Sequence, residues 1–239
     1  MTADVFYGRP GAVLNGIKVY SFSGFDDIID AAVSTRSIMV ACNSDKLYYS
    51  QQRLKDIINA NIGYCDGVGA VWALERKGVK GAVKIAGCDL WLEIIKRYPE
   101  AKYYLVGAEQ QVIDEVVEKL HVEYPEMDIV GFRNGFFKSD QEKDVLVKDI
   151  CEKRPDFVFV AMGSPKQEYM LDDIHSVYPV PMMGLGGSFN VYAGKVKRAP
   201  KWIQDIKMEM IYRYIFNKVS IKRIYCDFKF FLMLVFNRL

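Results

Sequence analysis

The residues of this sequence best suited to chemistry lie between Phe157 and Asn190. Phe157 to Met162 is a short apolar run that empties into Gly163-Ser164-Pro165-Lys166-Gln167-Glu168. A second run, Val180 to Met183, empties into Gly184-Leu185-Gly186-Gly187-Ser188-Phe189-Asn190. Ser164 followed by Pro165 reads as a cap residue and then a residue of fixed φ at the first helical position, with Glu168 in the first turn, where a helix dipole favours an acid. The free N–H groups of such a helix start can hold an anion, and Lys166 adds a positive charge beside them. Gly186 and Gly187, with Ser188 and Asn190 after them, let backbone approach a ligand that side chains would exclude. Each motif alone serves equally well as a plain strand-to-helix loop; two at consecutive strand ends favour a ligand crevice.

Elements must exist to bring these residues together, and the chain reads as alternating short strands and helices. Leu14 to Tyr20 is a first extended segment, and Ser23 is placed to cap a helix through Ala32. Ile38 to Cys42 is a buried-type strand leading through Asn43 into a helix to about Asn59. Ile62 to Cys65 precedes Asp66-Gly67-Val68-Gly69 and a helix over Val71 to Arg76. Further strands are expected at Tyr103 to Val106, Ile129 to Phe132, Phe157 to Met162 and Pro181 to Leu185. This alternation predicts an α/β fold: a Rossmann-like, mainly parallel sheet with helices on both faces. Ligands of such sheets sit outside the carboxyl ends of the strands, where Asn43, Asp66, Gly67, Gly69, Gly107, Gly163 to Glu168 and Gly186 to Asn190 would collect. No dinucleotide fingerprint or Walker loop occurs in the right context, which weakens nicotinamide and nucleotide-hydrolase readings.

Composition narrows the class. A chain of 239 residues with 51% hydrophobic and 26% charged residues can bury a full core. Its five cysteines stand singly, with no Cys-x-x-Cys pair, so neither a disulfide framework nor a zinc knuckle is expected and a reducing cytoplasm fits. The opening Met1-Thr2-Ala3-Asp4-Val5 has no basic, then apolar, leader pattern, and no apolar run is long enough to span a bilayer. The net charge of +2 hides an asymmetry: residues 195–239 hold eleven Lys or Arg against three acids, leaving 21 basic and 27 acidic residues in the remainder.

That basic tail requires an anionic partner. Lys201 to Phe216 is aromatic and basic; Ile221, Ile224, Tyr225, Phe228, Phe231, Leu232 and Val235 then share one helical face flanked by Lys222, Arg223 and Lys229. Such a helix lies in a membrane interface, or packs on the domain with a solvated basic edge, and both can hold together. Residues 1–194 are therefore expected to be the catalytic core and 195–239 a basic, amphipathic helical appendage. Nucleic acid is disfavoured as the tail's partner, because the apolar face has no use for it.

The ordered motifs Cys65-Asp66-Gly67-Val68-Gly69-Ala70-Val71-Trp72-Ala73, Lys84-Ile85-Ala86-Gly87-Cys88-Asp89-Leu90, Tyr104-Leu105-Val106-Gly107-Ala108, Gly163 to Glu168, and Gly184 to Phe189 continuing to Val196-Lys197-Arg198-Ala199-Pro200-Lys201-Trp202 resemble the WecG/TagA/CpsF family of bacterial glycosyltransferases. The resemblance covers the chain from about Leu14 onward. It implies transfer of N-acetylmannosamine or a relative from a UDP donor to a polyprenyl-diphosphate-linked sugar, with inversion, at the cytoplasmic membrane face, in teichoic acid, common-antigen or capsule synthesis. By the same resemblance Asp66 matches the catalytic base, consistent with a single displacement that needs an acid to deprotonate the acceptor hydroxyl. An Asp before Gly at a strand end is also a common turn former. The leaving UDP needs its charge offset. No Asp-x-Asp metal pair occurs, and His121 and His175 lack ligand partners at metal spacing, so no metal or other cofactor is expected. The cations are then Lys84, Lys166, Arg213 and Arg223, the last two by resemblance reaching the diphosphate as the tail closes. Gln167, Asn43 and Asp89 would position sugar or nucleotide, or make cap and loop hydrogen bonds instead.

The sequence departs from the family pattern at Ala41, where Thr is usual, at Lys84 for Arg, at Asn190 for Asp, and near Ser220, where a further tail Arg is missing. Lys84 keeps charge but loses the planar fork. These changes bear on the donor more than on the reaction class. The alternatives are another UDP-hexose or UDP-uronic acid donor, or a non-catalytic nucleotide-sugar-binding accessory subunit. Family members are often oligomeric, which makes a homo-oligomer an open expectation.

Overall fold

The structure, a computed structural model, describes residues 4–6, 8–205, 209–216, 221–236 and 238–239. It begins with β1 (Asp4–Phe6), β2 (Arg9–Leu14) and β3 (Ile17–Tyr20), paired antiparallel in that order. Asn15 and Gly16 turn the chain between β2 and β3 at φ 49° and 80°. A two-residue turn with both residues at positive φ matches the twist of the strands it joins, and Asn-Gly is the pair that best tolerates it. The single extended segment expected over 14–20 is therefore two strands, and Asn15-Gly16 is the signal that marks the turn.

The chain continues through α1 (Phe25–Thr35), β4 (Ile38–Cys42), α2 (Ser44–Tyr48), α3 (Gln52–Asn59), β5 (Ile62–Cys65), α4 (Val68–Arg76), α5 (Gly87–Arg97), β6 (Lys102–Gly107), α6 (Gln110–Glu123), β7 (Asp128–Arg133), α7 (Asp140–Lys153), β8 (Phe157–Ala161), α8 (Lys166–Val177), β9 (Met182–Gly184) and α9 (Ser188–Tyr192). The tail adds α10 (Lys201–Asp205), α11 (Glu209–Phe216) and α12 (Ile221–Val235). Several boundaries differ from expectation; α4, for one, begins at Val68 rather than Val71. Gly24, not Ser23, caps α1, because Ser23 gives both its N–H and its hydroxyl to the Asp27 carboxylate. The helix expected over 44–59 is two helices: Ser50 Oγ donates to Lys46 O at 2.7 Å, and Tyr49 and Gln51 turn extended between them. Pro165 is the N-cap of α8 rather than its first residue.

The sheet order is β1-β2-β3-β5-β4-β9-β8-β6-β7, and every pairing from β3 onward is parallel. Alternate strand residues bury on opposite faces, as a sheet covered on both sides requires. Val40, Tyr104, Val106, Val158, Val160 and Met182 enter the cluster under α3, α4, α7 and α8. Met39, Tyr103, Leu105, Phe157, Phe159 and Met183 enter the one under α1, α5, α6 and α9. The expected α/β sheet with helices on both faces is what forms, with the antiparallel edge of β1 and β2 added. Trp91 of α5, 1% exposed, meets Phe159, Phe189 and Tyr192 edge-on at 6.0, 5.7 and 5.2 Å. Each such pair adds about 0.5–1.5 kcal/mol beyond burial, and together they lock α5 against β8 and α9, two elements that carry the site.

The tail does not stand apart from this core. One face of α12, Cys226, Phe230 and Leu234, is buried, with Phe230 and Leu234 inside the cluster that α4 also enters. The opposite face holds Ile221, Ile224, Tyr225, Phe228, Phe231 and Val235, all exposed.

Candidate functional site

Five neighbouring strands, β5, β4, β9, β8 and β6, end side by side in the sheet, and the residues that follow them are Asp66, Asn43, Gly186, Gly163 and the β6-terminal Gly107. The expected gathering of distant residues at one sheet edge is thus what the topology produces. Added Cβ atoms at Gly67, Gly163, Gly186 and Gly187 would each meet nothing within 4 Å, so the ends of β5, β8 and β9 border open space. Gly67 at φ 144° and Gly186 at φ 57° also need their missing side chains for backbone reasons. Gly107 and Gly69 serve packing instead: a Cβ on Gly107 would sit 2.3 Å from Ala161 O, and one on Gly69 3.0 Å from the Phe230 ring.

Asp66 sits where β5 runs out. Its N–H still pairs with Cys42 O of β4 at 3.1 Å, and Gly67 then turns the chain into α4. The segment before α5 is laid against this end through Ile85 N–H to Cys65 O at 2.9 Å, which lets Gly87 N–H donate to Asp66 Oδ1 at 3.2 Å. Asp66 is half-buried, with one oxygen oriented by that N–H. Beneath it, burial pushes the Tyr64 phenol well above its ordinary value, with the Asp66 charge adding to the shift; its hydroxyl has no partner among the described residues. Burial likewise raises Cys88 to about 11 and Cys42 to about 12, so neither thiol is a nucleophile at neutral pH.

Two charged pairs flank the start of α5. Lys84 Nζ meets Glu209 Oε2 of α11 at 2.7 Å. Asp89, in the first turn of α5, takes a two-pronged bond from Arg198 at 2.5 and 2.7 Å, which holds that guanidinium firmly protonated. Arg198 belongs to a motif the sequence displays, but nothing in the sequence pairs it with an acid 109 positions away.

Gln167 and Glu168 are buried rather than facing the crevice. Glu168 Oε1 meets Lys46 Nζ at 2.7 Å and accepts Gln167 Nε2 at 2.9 Å, while Gln167 Oε1 accepts Gly186 N–H at 2.8 Å. This chain of bonds ties the segments after β4, β8 and β9 together, so both residues shape the crevice from below. Asn43 caps α2, its Oδ1 accepting Lys46 N–H at 3.1 Å. Ser188 Oγ donates to Leu185 O at 2.7 Å, and the Asn190 carbonyl receives Lys195 and Val196 N–H. Ser164, Pro165 and Lys166 are exposed at the start of α8. Arg213 and Arg223 lie on α11 and α12, but their side chains fall outside the described residues.

The tail reaches this edge through Asp227 of α12, 9% exposed, which accepts hydrogen bonds from Ser44 of α2 and Tyr214 of α11. Arg76 Nη2 adds a bond to Val235 O at 3.0 Å. Asp227, Ser44, Tyr214, Lys46 and Glu209 carry no motif, and only their tertiary pairing marks them. Ser44→Ala removes a bond to a charged acceptor, so amide exchange along α12 is expected to quicken about tenfold while sheet amides stay protected; unchanged α12 exchange would show that the latch does not hold the helix.

Among the described residues no group of three His, Cys, Asp or Glu side chains is placed to hold a metal ion. His175 Nε2 instead bonds Arg36 O at 2.5 Å.

Comparison with known proteins adds three findings. The profile described as glycosyl transferase WecG/TagA/CpsF family matches residues 14–239. A Bacillus subtilis (strain 168) protein named N-acetylglucosaminyldiphosphoundecaprenol N-acetyl-beta-D-mannosaminyltransferase is 34% identical over 204 residues, 83% of this chain and 76% of its own. A solved arylmalonate decarboxylase variant in its sulfate ion associated form aligns over 74% of this chain and 79% of its own, at 14% identity and a TM-score of 0.32, too slight a likeness to bear on fold or chemistry.

Proposed function

This chain belongs to the WecG/TagA/CpsF family of glycosyl transferases, and we propose that it moves N-acetylmannosamine from a UDP donor to a polyprenyl-diphosphate-linked N-acetylglucosamine. The observation that carries the reading is the Asp66 carboxylate, half-buried at the end of β5, oriented by Gly87 N–H and bordered by open space at Gly67, Gly163 and Gly186. In the reaction Asp66 takes the proton of the acceptor hydroxyl as its oxygen attacks the anomeric carbon. The bond from that carbon to the β-phosphate oxygen breaks, and UDP leaves with the electron pair, giving inversion in a single displacement. Lys84 stands beside the site to offset the charge on the leaving diphosphate, with no metal called for. The name of the Bacillus subtilis relative supports the sugar and the acceptor.

The test is sugar transfer from UDP-N-acetylmannosamine to a polyprenyl-diphosphate-N-acetylglucosamine acceptor, with and without EDTA. Turnover that survives chelation is expected. UDP binding without transfer from any UDP-sugar would instead make the protein an accessory subunit.

We place the work at the inner leaflet, where a lipid-linked acceptor resides. No helix among the described residues is long and apolar enough to cross a membrane. What supports surface association is the outer face of α12, with Phe228 58% and Phe231 51% exposed on a tail rich in Lys and Arg. Phe228→Glu with Phe231→Glu is expected to weaken binding to phosphatidylglycerol-containing vesicles by about tenfold or more, from lost apolar burial and added repulsion. Unaltered co-sedimentation of the double variant would remove α12 from the membrane contact.

A further inference from the structure

Five charged side chains converge beside the end of β5. Lys84 and Arg198 are the cations; Asp66, Asp89 and Glu209 are the acids. Glu209 pairs with Lys84 at 2.7 Å and its charge also acts on Arg198. The charges of Arg198, Asp89, Asp66 and Glu209 all act on the Cys88 thiol. Both cations are already engaged by acids, Lys84 by Glu209 and Arg198 by Asp89, so neither is open to an incoming diphosphate as the site stands. For such a ligand to reach one of these cations, the acid paired with it must give way.

The acids are not equally able to go. Asp66 sits at a strand end and is tied to Gly87 N–H; Asp89 sits in α5 and is gripped by both prongs of Arg198. Both belong to elements packed into the core. Glu209 opens α11, a tail helix that is no part of the sheet and is tied to the core through Tyr214 and Asp227. Arg198 also has capacity to spare: its Nε is buried and has no hydrogen-bond partner among the described residues. A buried donor of this kind is costly unless something fills it.

We propose that Lys84 and Arg198 together clamp the diphosphate of the donor, and that Glu209 is a built-in stand-in for that diphosphate, displaced with α11 when the donor binds. Arg198 is then a substrate-binding residue, and Glu209 sets the affinity of the empty site. The idea rests on the nucleoside-diphosphate-sugar reading above. Because the stand-in and the ligand compete for the same cations, removing the acid must tighten binding of any diphosphate and leave the uncharged nucleoside alone.

The experiment measures binding of UDP, uridine and inorganic pyrophosphate to the full chain by calorimetry, for the unaltered protein, Glu209→Gln and Arg198→Lys. Glu209→Gln is expected to tighten UDP and pyrophosphate about fivefold or more, with uridine unchanged. Arg198→Lys keeps a charge for Asp89 but loses the fork, and is expected to weaken both anions about tenfold without weakening uridine. Unchanged or weaker anion binding in Glu209→Gln overturns the proposal, as does equal weakening of uridine and UDP in Arg198→Lys or a failure of the unaltered chain to bind either anion. If Glu209→Gln tightens pyrophosphate while no UDP-sugar is turned over, the clamp stands and the glycosyl-transfer reading falls. If sugar is transferred while Glu209→Gln moves neither anion, the clamp alone falls.

Discussion

Asp66→Asn is expected to lower the rate of sugar transfer by about a hundred- to ten-thousandfold, the range over which a positioned general base contributes. The replacement is nearly isosteric, and its amide oxygen can still accept Gly87 N–H, so the end of β5 and the start of α5 keep their arrangement. What the variant lacks is the ability to take a proton from the acceptor hydroxyl. Donor binding is therefore expected to persist, with the loss falling on kcat, and the thermal midpoint to stay within a few degrees of the unaltered protein. The assay is transfer to the lipid-linked acceptor under saturating donor, with UDP binding measured in parallel. A variant that keeps more than about a tenth of the rate would remove Asp66 from the role of base.

Glu168→Gln attacks stability instead. Lys46 and Glu168 form an ion pair with side-chain exposures of 7% and 1%, and Lys46 Nζ has Ala41 O at 2.9 Å as its other acceptor. Removing one charge from such a pair leaves the other buried and uncompensated, at a cost of about 3–5 kcal/mol. For a chain of this size that is a fall in Tm of about 10 °C. Lys46→Met combined with Glu168→Gln removes both charges and is expected to recover part of the loss. Recovery of none would mean that the bond Glu168 accepts from Gln167 matters more than the ion pair.

The same pair has a pH signature. Burial by itself would raise the Glu168 carboxyl, but the Lys46 charge and hydrogen bonds from Lys46, Gln167 and Ser164 outweigh it and hold the carboxyl below its ordinary value of 4.5. A depressed folded-state value means that the pair's contribution is fully present above about pH 4.5 and is lost as pH falls through the folded value. Acid unfolding of the unaltered protein should therefore include a component that Glu168→Gln lacks.

How much of this was legible beforehand differs from element to element. The parallel core was visible because its strands are short, β-branched or aromatic runs followed by glycine and then by helical periodicity, and those patterns report burial on both faces. The hairpin of β2 and β3 is missed when Leu14 to Tyr20 is read as one extended segment, although Asn15-Gly16, a pair whose meaning lies in two local dihedral angles, marks its turn. Gln167 and Glu168 looked like ligands because they follow a strand end. They turn inward because Lys46, on a different strand-to-helix connection, supplies a buried positive charge that attracts a carboxylate.

The tail divides the two kinds of information cleanly. Its hydrophobic periodicity placed Ile221, Ile224, Tyr225, Phe228, Phe231, Leu232 and Val235 on one face, and all of them but the half-buried Leu232 are exposed. What periodicity could not say is that α12 has a second apolar face, Cys226, Phe230 and Leu234, seated on the core. A side chain's period reports only that it shares a face with others, not which surface that face will meet.

By itself, then, the sequence determined the α/β class, the succession of the parallel strands, the base candidate Asp66 and the family, because each is written in short-range patterns or in ordered motifs. Tertiary structure alone decided the pairings Lys84–Glu209, Asp89–Arg198, Lys46–Glu168 and Asp227 with Ser44 and Tyr214. Charges attract according to distance in space, and distances between residues far apart in the chain, more than a hundred positions for all but Tyr214 and Asp227, are set only when the sheet closes around its core.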